Sequence, residues 1–83
     1  MKLLYFAWIR TKVGAGEELI DLPPHVANVG DLLDWLVTRG PNYAAALKER
    51  KMVKVAVNQD YVGADHPLKA NDEVALFPPV TGG

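Results

Sequence analysis

The most distinctive reactive group in this sequence is no side chain but the carboxylate that follows Gly82-Gly83 at the C-terminal end. With glycine near 7% of residues in average proteins, two at a given terminus arise by chance in roughly one chain in two hundred. Without Cβ atoms, such an end can thread a narrow channel and set its carboxylate inside another protein's active site. The plain alternative is a frayed end of no function. Other reactive groups are scattered. His25 and His66 lie far apart, each beside proline, with no nearby acidic or hydroxyl partner in a recognisable motif, so both read as surface histidines. Asp31 and Asp34 share a helix at i, i+3 spacing, which capping and the helix dipole explain without a paired-carboxylate mechanism. Gly14-Ala15-Gly16 precedes a strand-like run, whereas a phosphate cradle must precede a helix, and it reads as a hairpin turn.

Composition narrows the function classes further. Eighty-three residues make one domain with a single modest core, too small for a deep self-contained enzyme pocket. Nine basic and ten acidic side chains give no strong field, so neither nucleic acid nor an acidic membrane surface is an expected partner. The absence of cysteine removes disulfides, thiolate catalysis and thiolate metal sites together, and no metal site is expected. The apolar run Leu3 to Ile9 is too short for a membrane span or signal peptide, which places the protein in the cytoplasm. Arg39, Lys48, Arg50, Lys51 and Lys54 form a mildly basic stretch, expected to be a solvated face that could complement an acidic partner.

The elements that must position the terminus follow from periodicity. Lys2 to Ile9 reads as a central strand, Thr11 to Gly16 as a loop and Glu17 to Leu22 as its hairpin partner, ended by Pro23-Pro24. Asn28 and Asp31 predict a helix start. Val29, Leu32, Leu33 and Leu36 fit one helical face, with Gly40-Pro41 as its stop. A shorter helical turn is expected from Asn42 to Arg50. Lys54 to Asn58, Tyr61-Val62 and Glu73 to Phe77 read as strands, with Asn58-Gln59-Asp60 as a turn. Pro78-Pro79 then stops sheet pairing, leaving 78–83 as an extended tail.

This order predicts an α+β two-layer domain. A right-handed crossover through the helix would set the first and last strands side by side in a mixed sheet, the ubiquitin-like β-grasp arrangement. Alternation puts Leu3, Tyr5, Ala7, Ile9, Val55, Val57, Val74 and Leu76 toward the helix. Leu4, Phe6, Trp8, Ala56 and Phe77 then fall on the opposite face, apolar enough to mark a docking surface.

The run Asp72-Glu73-Val74-Ala75-Leu76-Phe77-Pro78-Pro79-Val80-Thr81-Gly82-Gly83 closely resembles the C-terminal signature of molybdopterin synthase small subunits. Tyr5-Phe6-Ala7 leading to Arg10, Val57-Asn58-Gln59 and Asp65-His66-Pro67-Leu68 are similar to the same family, with Asn71 where glycine is usual. The resemblance implies a sulfur carrier that holds no permanent cofactor and acts as a co-substrate more than as an enzyme. A ubiquitin-activating-type adenylyltransferase would use ATP and magnesium to adenylate Gly83, and a persulfide donor would convert the adenylate to a thiocarboxylate. The tail would then insert into the large synthase subunit and pass sulfur to cyclic pyranopterin monophosphate. Phe6, Arg10, Tyr61 and Phe77 match positions near the family's partner surface, with Pro78, Pro79, Val80 and Thr81 leading to the reactive Gly82-Gly83. Carriers for thiamine or tRNA thiolation, and ubiquitin-like protein modifiers, share the fold and diglycine. Phe77-Pro78-Pro79-Val80-Thr81 argues against thiamine. A non-covalent interaction module differs only in having an inert tail.

Overall fold

A computed structural model describes residues 1–79. The expected tail residues Val80, Thr81, Gly82 and Gly83 lie outside the described residues. Five strands form one mixed sheet: β1 (Lys2–Tyr5), β2 (Glu17–Leu19), β3 (Lys54–Val57), β4 (Asp60–Val62) and β5 (Glu73–Phe77). Their order is β2-β1-β5-β3-β4, with β1 and β5 parallel in the centre and the other pairs antiparallel. The parallel central pair is what the crossover through the helical layer produces. The chain has the ubiquitin-like β-grasp fold in its α+β form.

Register fixes the two faces. Tyr5, Leu76, Val55 and Val62 lie opposite one another across four strands, and Leu3, Val74 and Val57 form the next row. These rows face the helices and are buried, Val62 excepted at the sheet edge. The outward row is Leu4, Ala75, Ala56 and Tyr61, with Phe77 opposite Lys54.

The first segment departs from the expected long strand. β1 stops at Tyr5, and a helix α1 (Ala7–Val13) occupies the stretch expected to finish the strand and open a loop. A continuous apolar run looks alike in a strand and in a buried helix segment. What distinguishes it is the spacing of Ile9 and Val13, the two buried positions of α1, followed by Gly14 in a left-handed conformation at φ 90°. The Gly14 N–H closes the helix on the Arg10 carbonyl at 2.9 Å. Gly14 is therefore a helix cap and not a hairpin turn. Ile9 is buried from the helix, whereas Ala7 is exposed at φ 54° and does not join the core row. Trp8 leaves the outer sheet face and packs against the core from α1.

The main helix α2 (Val29–Val37) starts as expected. Asn28 Oδ1 accepts from the Asp31 N–H at 2.8 Å, while Asp31 Oδ2 accepts from the Ala27 N–H at 3.0 Å. This pair anchors the chain on both sides of the helix start. Asn28→Ala is expected to lower unfolding free energy by about 1 kcal/mol in a urea titration. α2 ends at Val37 with Thr38 as its cap, earlier than the Gly40-Pro41 stop, because Pro41 opens α3 (Pro41–Ala46) at a position where its missing N–H costs nothing. A 3₁₀ turn (Arg50–Met52) completes the stretch expected to be helical from Asn42 to Arg50. Strand β2 is likewise shorter than the Glu17 to Leu22 run expected.

Asn58 and Gln59 both have positive φ, 51° and 73°, and make the two-residue turn that matches strand twist between β3 and β4. The Asn58 side chain also donates to Asp72 at 2.9 Å and accepts from the Glu73 N–H at 3.0 Å, tying this turn to the start of β5.

Candidate functional site

β5 runs through the middle of the sheet toward Phe77 and delivers the chain to Pro78-Pro79 at one sheet end. Around that exit the side chains are apolar. The Tyr61 and Phe77 rings lie 5.4 Å apart, and with Lys54, Val55, Val62 and Pro79 they line a cavity of about 280 Å³. Tyr61 is 78% exposed although it is a large aromatic with a neighbour to pack on. Ala56, behind it on the outer row, is buried. Phe6 stands where β1 ends beside β5, its N–H donating to the Leu76 carbonyl at 3.1 Å, and its ring is 47% exposed. An exposed aromatic surface of this kind is a docking surface candidate.

The site residues expected from sequence do not form one cluster. Tyr61, Phe77 and Pro79 converge, and Phe6 is at the adjoining strand end. Arg10 instead packs toward the turn before β2: a Cβ on Gly16 would stand 3.0 Å from its Nε. Gly16 is joined to β1 through its carbonyl and the Tyr5 N–H at 2.9 Å, on the side of β1 away from β4. The expected contacts thus run along the sheet end in strand order, from Arg10 through Phe6 and Phe77 to Tyr61. Val80, Thr81, Gly82 and Gly83 are outside the described residues.

No group of three His, Asp or Glu side chains comes together among the described residues. His25 is exposed, and His66 is half-buried with its backbone carbonyl accepting from the Val29 N–H at 3.0 Å. Asp31 serves the helix cap, and Asp34 pairs with Arg50 at 2.7 Å. No described helix is long and apolar enough to cross a membrane.

One polar assembly escaped the sequence reading. Glu18 on β2 accepts hydrogen bonds from the Tyr5 hydroxyl at 2.7 Å, the Tyr43 hydroxyl at 2.8 Å and Arg39 Nη1 at 2.9 Å. Arg39, exposed as expected, also lies over the Trp35 and Tyr43 rings at 5.1 and 4.8 Å. Burial by itself would raise the Glu18 pKa, but the hydrogen bonds from Tyr5, Arg39 and Tyr43 outweigh it and hold the carboxyl below its usual range. Burial first, then the bond to Glu18, pushes the Tyr5 hydroxyl far above its usual pKa. A buried tyrosine needs a partner for its hydroxyl, which was the signal available for a clamp on Tyr5.

A lowered folded-state pKa stabilises the fold fully above the unfolded carboxylate range, near 4.3, and that stabilisation is lost as pH falls through the folded value. Glu18→Gln is therefore expected to cost about 1–2 kcal/mol at neutral pH. Its deficit against wild type should shrink as denaturant titrations move to acid pH. A deficit independent of pH would mean that packing, not the charge, carries the effect.

Comparison with known proteins adds the context. The ThiS family model matches residues 3–83. The molybdopterin synthase sulfur carrier subunit of Escherichia coli K12 is 44% identical, the alignment covering 100% of this chain and 99% of that one. The subunit of the same name from Haemophilus influenzae is 35% identical, over 100% and 99%. Among solved structures, SAMP1 of Haloferax volcanii, a small archaeal modifier protein, superimposes with a TM-score of 0.74 at 32% identity, covering 100% of this chain and 98% of that chain. The mixed β-grasp sheet and its likeness to these structures place the chain in the ubiquitin-like class of small proteins. Within that class, this chain belongs to the ThiS family.

Proposed function

We propose that this protein is a sulfur carrier in molybdenum cofactor synthesis and that the Gly83 carboxylate is its working group. The observation that carries the proposal is that the family match runs to Gly83 itself, on a fold whose central strand leads to that end. The E. coli and H. influenzae relatives, named for sulfur carriage in molybdopterin synthase, support the same chemistry here.

In this reading an activating enzyme of the adenylyltransferase type binds the chain by its apolar rim and takes the tail into its active site. The Gly83 carboxylate attacks the α-phosphorus of magnesium-bound ATP and releases pyrophosphate. The outer sulfur of a persulfide displaces AMP, giving an acyl disulfide that a second thiol cleaves to the thiocarboxylate. The chain then exchanges partners. The large synthase subunit receives the tail, the thiocarboxylate sulfur bonds to a carbon of cyclic pyranopterin monophosphate, and water then cleaves the resulting thioester, leaving sulfur on the pterin and returning the carboxylate. Two such cycles supply the dithiolene. The chain contributes docking surface and cargo, while acid, base and nucleotide-binding groups belong to its partners. Phe6, Tyr61, Phe77 and Pro79 form the shared docking rim, with Arg10 contacting the partner at its far end.

Labelled sulfur tests this reading. With activating enzyme, ATP, magnesium and a labelled persulfide donor, the label should join the chain, then leave it when large subunit and pterin precursor are added. Label that reaches the pterin without ever residing on the chain would contradict it. The likeness to SAMP1 favours a second use of the same activated terminus, capture by a lysine amine to form an isopeptide.

A further inference from the structure

A second groove opens beside the sheet end at which β5 finishes. Trp8, Lys12, Ala45, Lys48, Glu49 and Met52 line a cavity of about 380 Å³, larger than the one at Tyr61 and Phe77. Its place follows from the chain path. Trp8 comes just after Phe6, which bonds to Leu76, and Met52 comes just before Lys54, which pairs with Phe77. Met52 is 46% exposed, and Trp8 is only partly buried, so the floor is apolar and open.

The rim is positively charged although the chain carries a net charge of −1. Of the basic stretch in the middle of the sequence, Arg39 is committed to Glu18 and Arg50 to Asp34. Among the described residues, Lys12, Lys48 and Lys51 belong to no salt bridge, and the lone acid on the rim is Glu49. An apolar floor holding a tryptophan and a methionine, bordered by unpaired ammonium groups, is complementary to an acidic segment that carries large apolar side chains.

We propose that the Trp8–Met52 groove is a second docking surface, which takes an acidic, apolar segment of a partner protein beside the tail exit. It is separate from the Tyr61–Phe77 rim, and it stands whether or not the sulfur-carrier reading holds. A partner engaging both surfaces would grip the chain on two sides of the outgoing β5, so that a weak contact at each gives a firm hold on the tail. The lysines would raise the encounter rate with an acidic partner and make it salt-dependent.

The test uses the full chain and a short synthetic peptide of aspartate, glutamate, leucine and phenylalanine, followed by nuclear magnetic resonance. The expected result is movement of the Trp8 indole N–H and Met52 methyl signals, with Trp35 and Tyr61 unmoved. The double variant Lys12→Glu, Lys48→Glu should weaken binding by about fivefold or more, with its fold checked by circular dichroism. Leu19→Ala, at an exposed site on the opposite sheet end, should leave peptide affinity unchanged. The proposal is overturned by no response at about 1 mM peptide, the weak limit of useful affinity. Equal affinity for a peptide with lysine in place of the acids overturns it, as do shifts centred on Tyr61 and Phe77. Trp8 shifts on concentrating the protein alone would assign the groove to a second copy and overturn it as well.

Discussion

Adding one alanine after Gly83, or deleting Gly83, is expected to lower molybdopterin formation by at least about a hundredfold while leaving folding and most partner affinity intact. One residue of extended chain spans about 3.3 Å, several times the displacement that a bond-forming step tolerates. The added alanine also brings a methyl group into a channel that two glycines would pass. Folding should be spared because the core, built from Leu3, Tyr5, Ile9, Leu32, Leu36, Val74 and Leu76, all fully or almost fully buried, is complete at Leu76, before the tail begins at Pro78. The assay is product formation from cyclic pyranopterin monophosphate with activating enzyme, ATP, persulfide donor and large subunit, comparing wild type with both variants. Near-normal product from the extended chain would return the inert-tail interaction module to first place.

Phe77→Asp is expected to weaken binding to the large subunit by about tenfold to a hundredfold, because it would place a carboxylate in an apolar contact. The free chain has less to lose. Phe77 is only half-buried, it lies on the outer face of the sheet, and Lys54 stands directly opposite it to receive the new charge. Circular dichroism should therefore show a folded variant, and a calorimetric titration against the large subunit should show the weakened affinity. An unfolded variant would place Phe77 in the core; a folded one with unchanged affinity would remove the rim from the docking surface.

Much of this architecture was legible in the sequence, and the exceptions have physical causes. Asn28, Asp31 and the Val29, Leu32, Leu33, Leu36 spacing located α2 because capping and amphipathicity act within one short stretch. Glu73 to Phe77 was readable to the residue, since Asn71-Asp72 before it and Pro78-Pro79 after it punctuate a short, largely apolar run. The segment from Phe6 to Gly14 was misread because aromatic and aliphatic residues suit a strand as well as a buried helix, and only the left-handed Ala7 redirects the chain. Nothing local signals that redirection, since alanine has no preference for positive φ. The apolar rim was partly legible: alternation put Phe6 and Phe77 on the outer face, and both stand at the rim, but Trp8 was carried off by the helix. The Glu18 clamp joins residues far apart in sequence and became visible only when β1, β2, α3 and the turn after α2 were brought together.

Sulfur carriage changes one atom at the end of the chain, and intact-mass spectrometry reads that change directly. The full chain is incubated with its activating enzyme, ATP, magnesium and a persulfide donor, then weighed with and without ATP. The expected result is an ATP-dependent gain equal to one sulfur replacing one oxygen, localised by fragmentation to Gly83 and lost on incubation with large subunit and precursor. An unchanged mass, or a sulfur located anywhere other than Gly83, would contradict it.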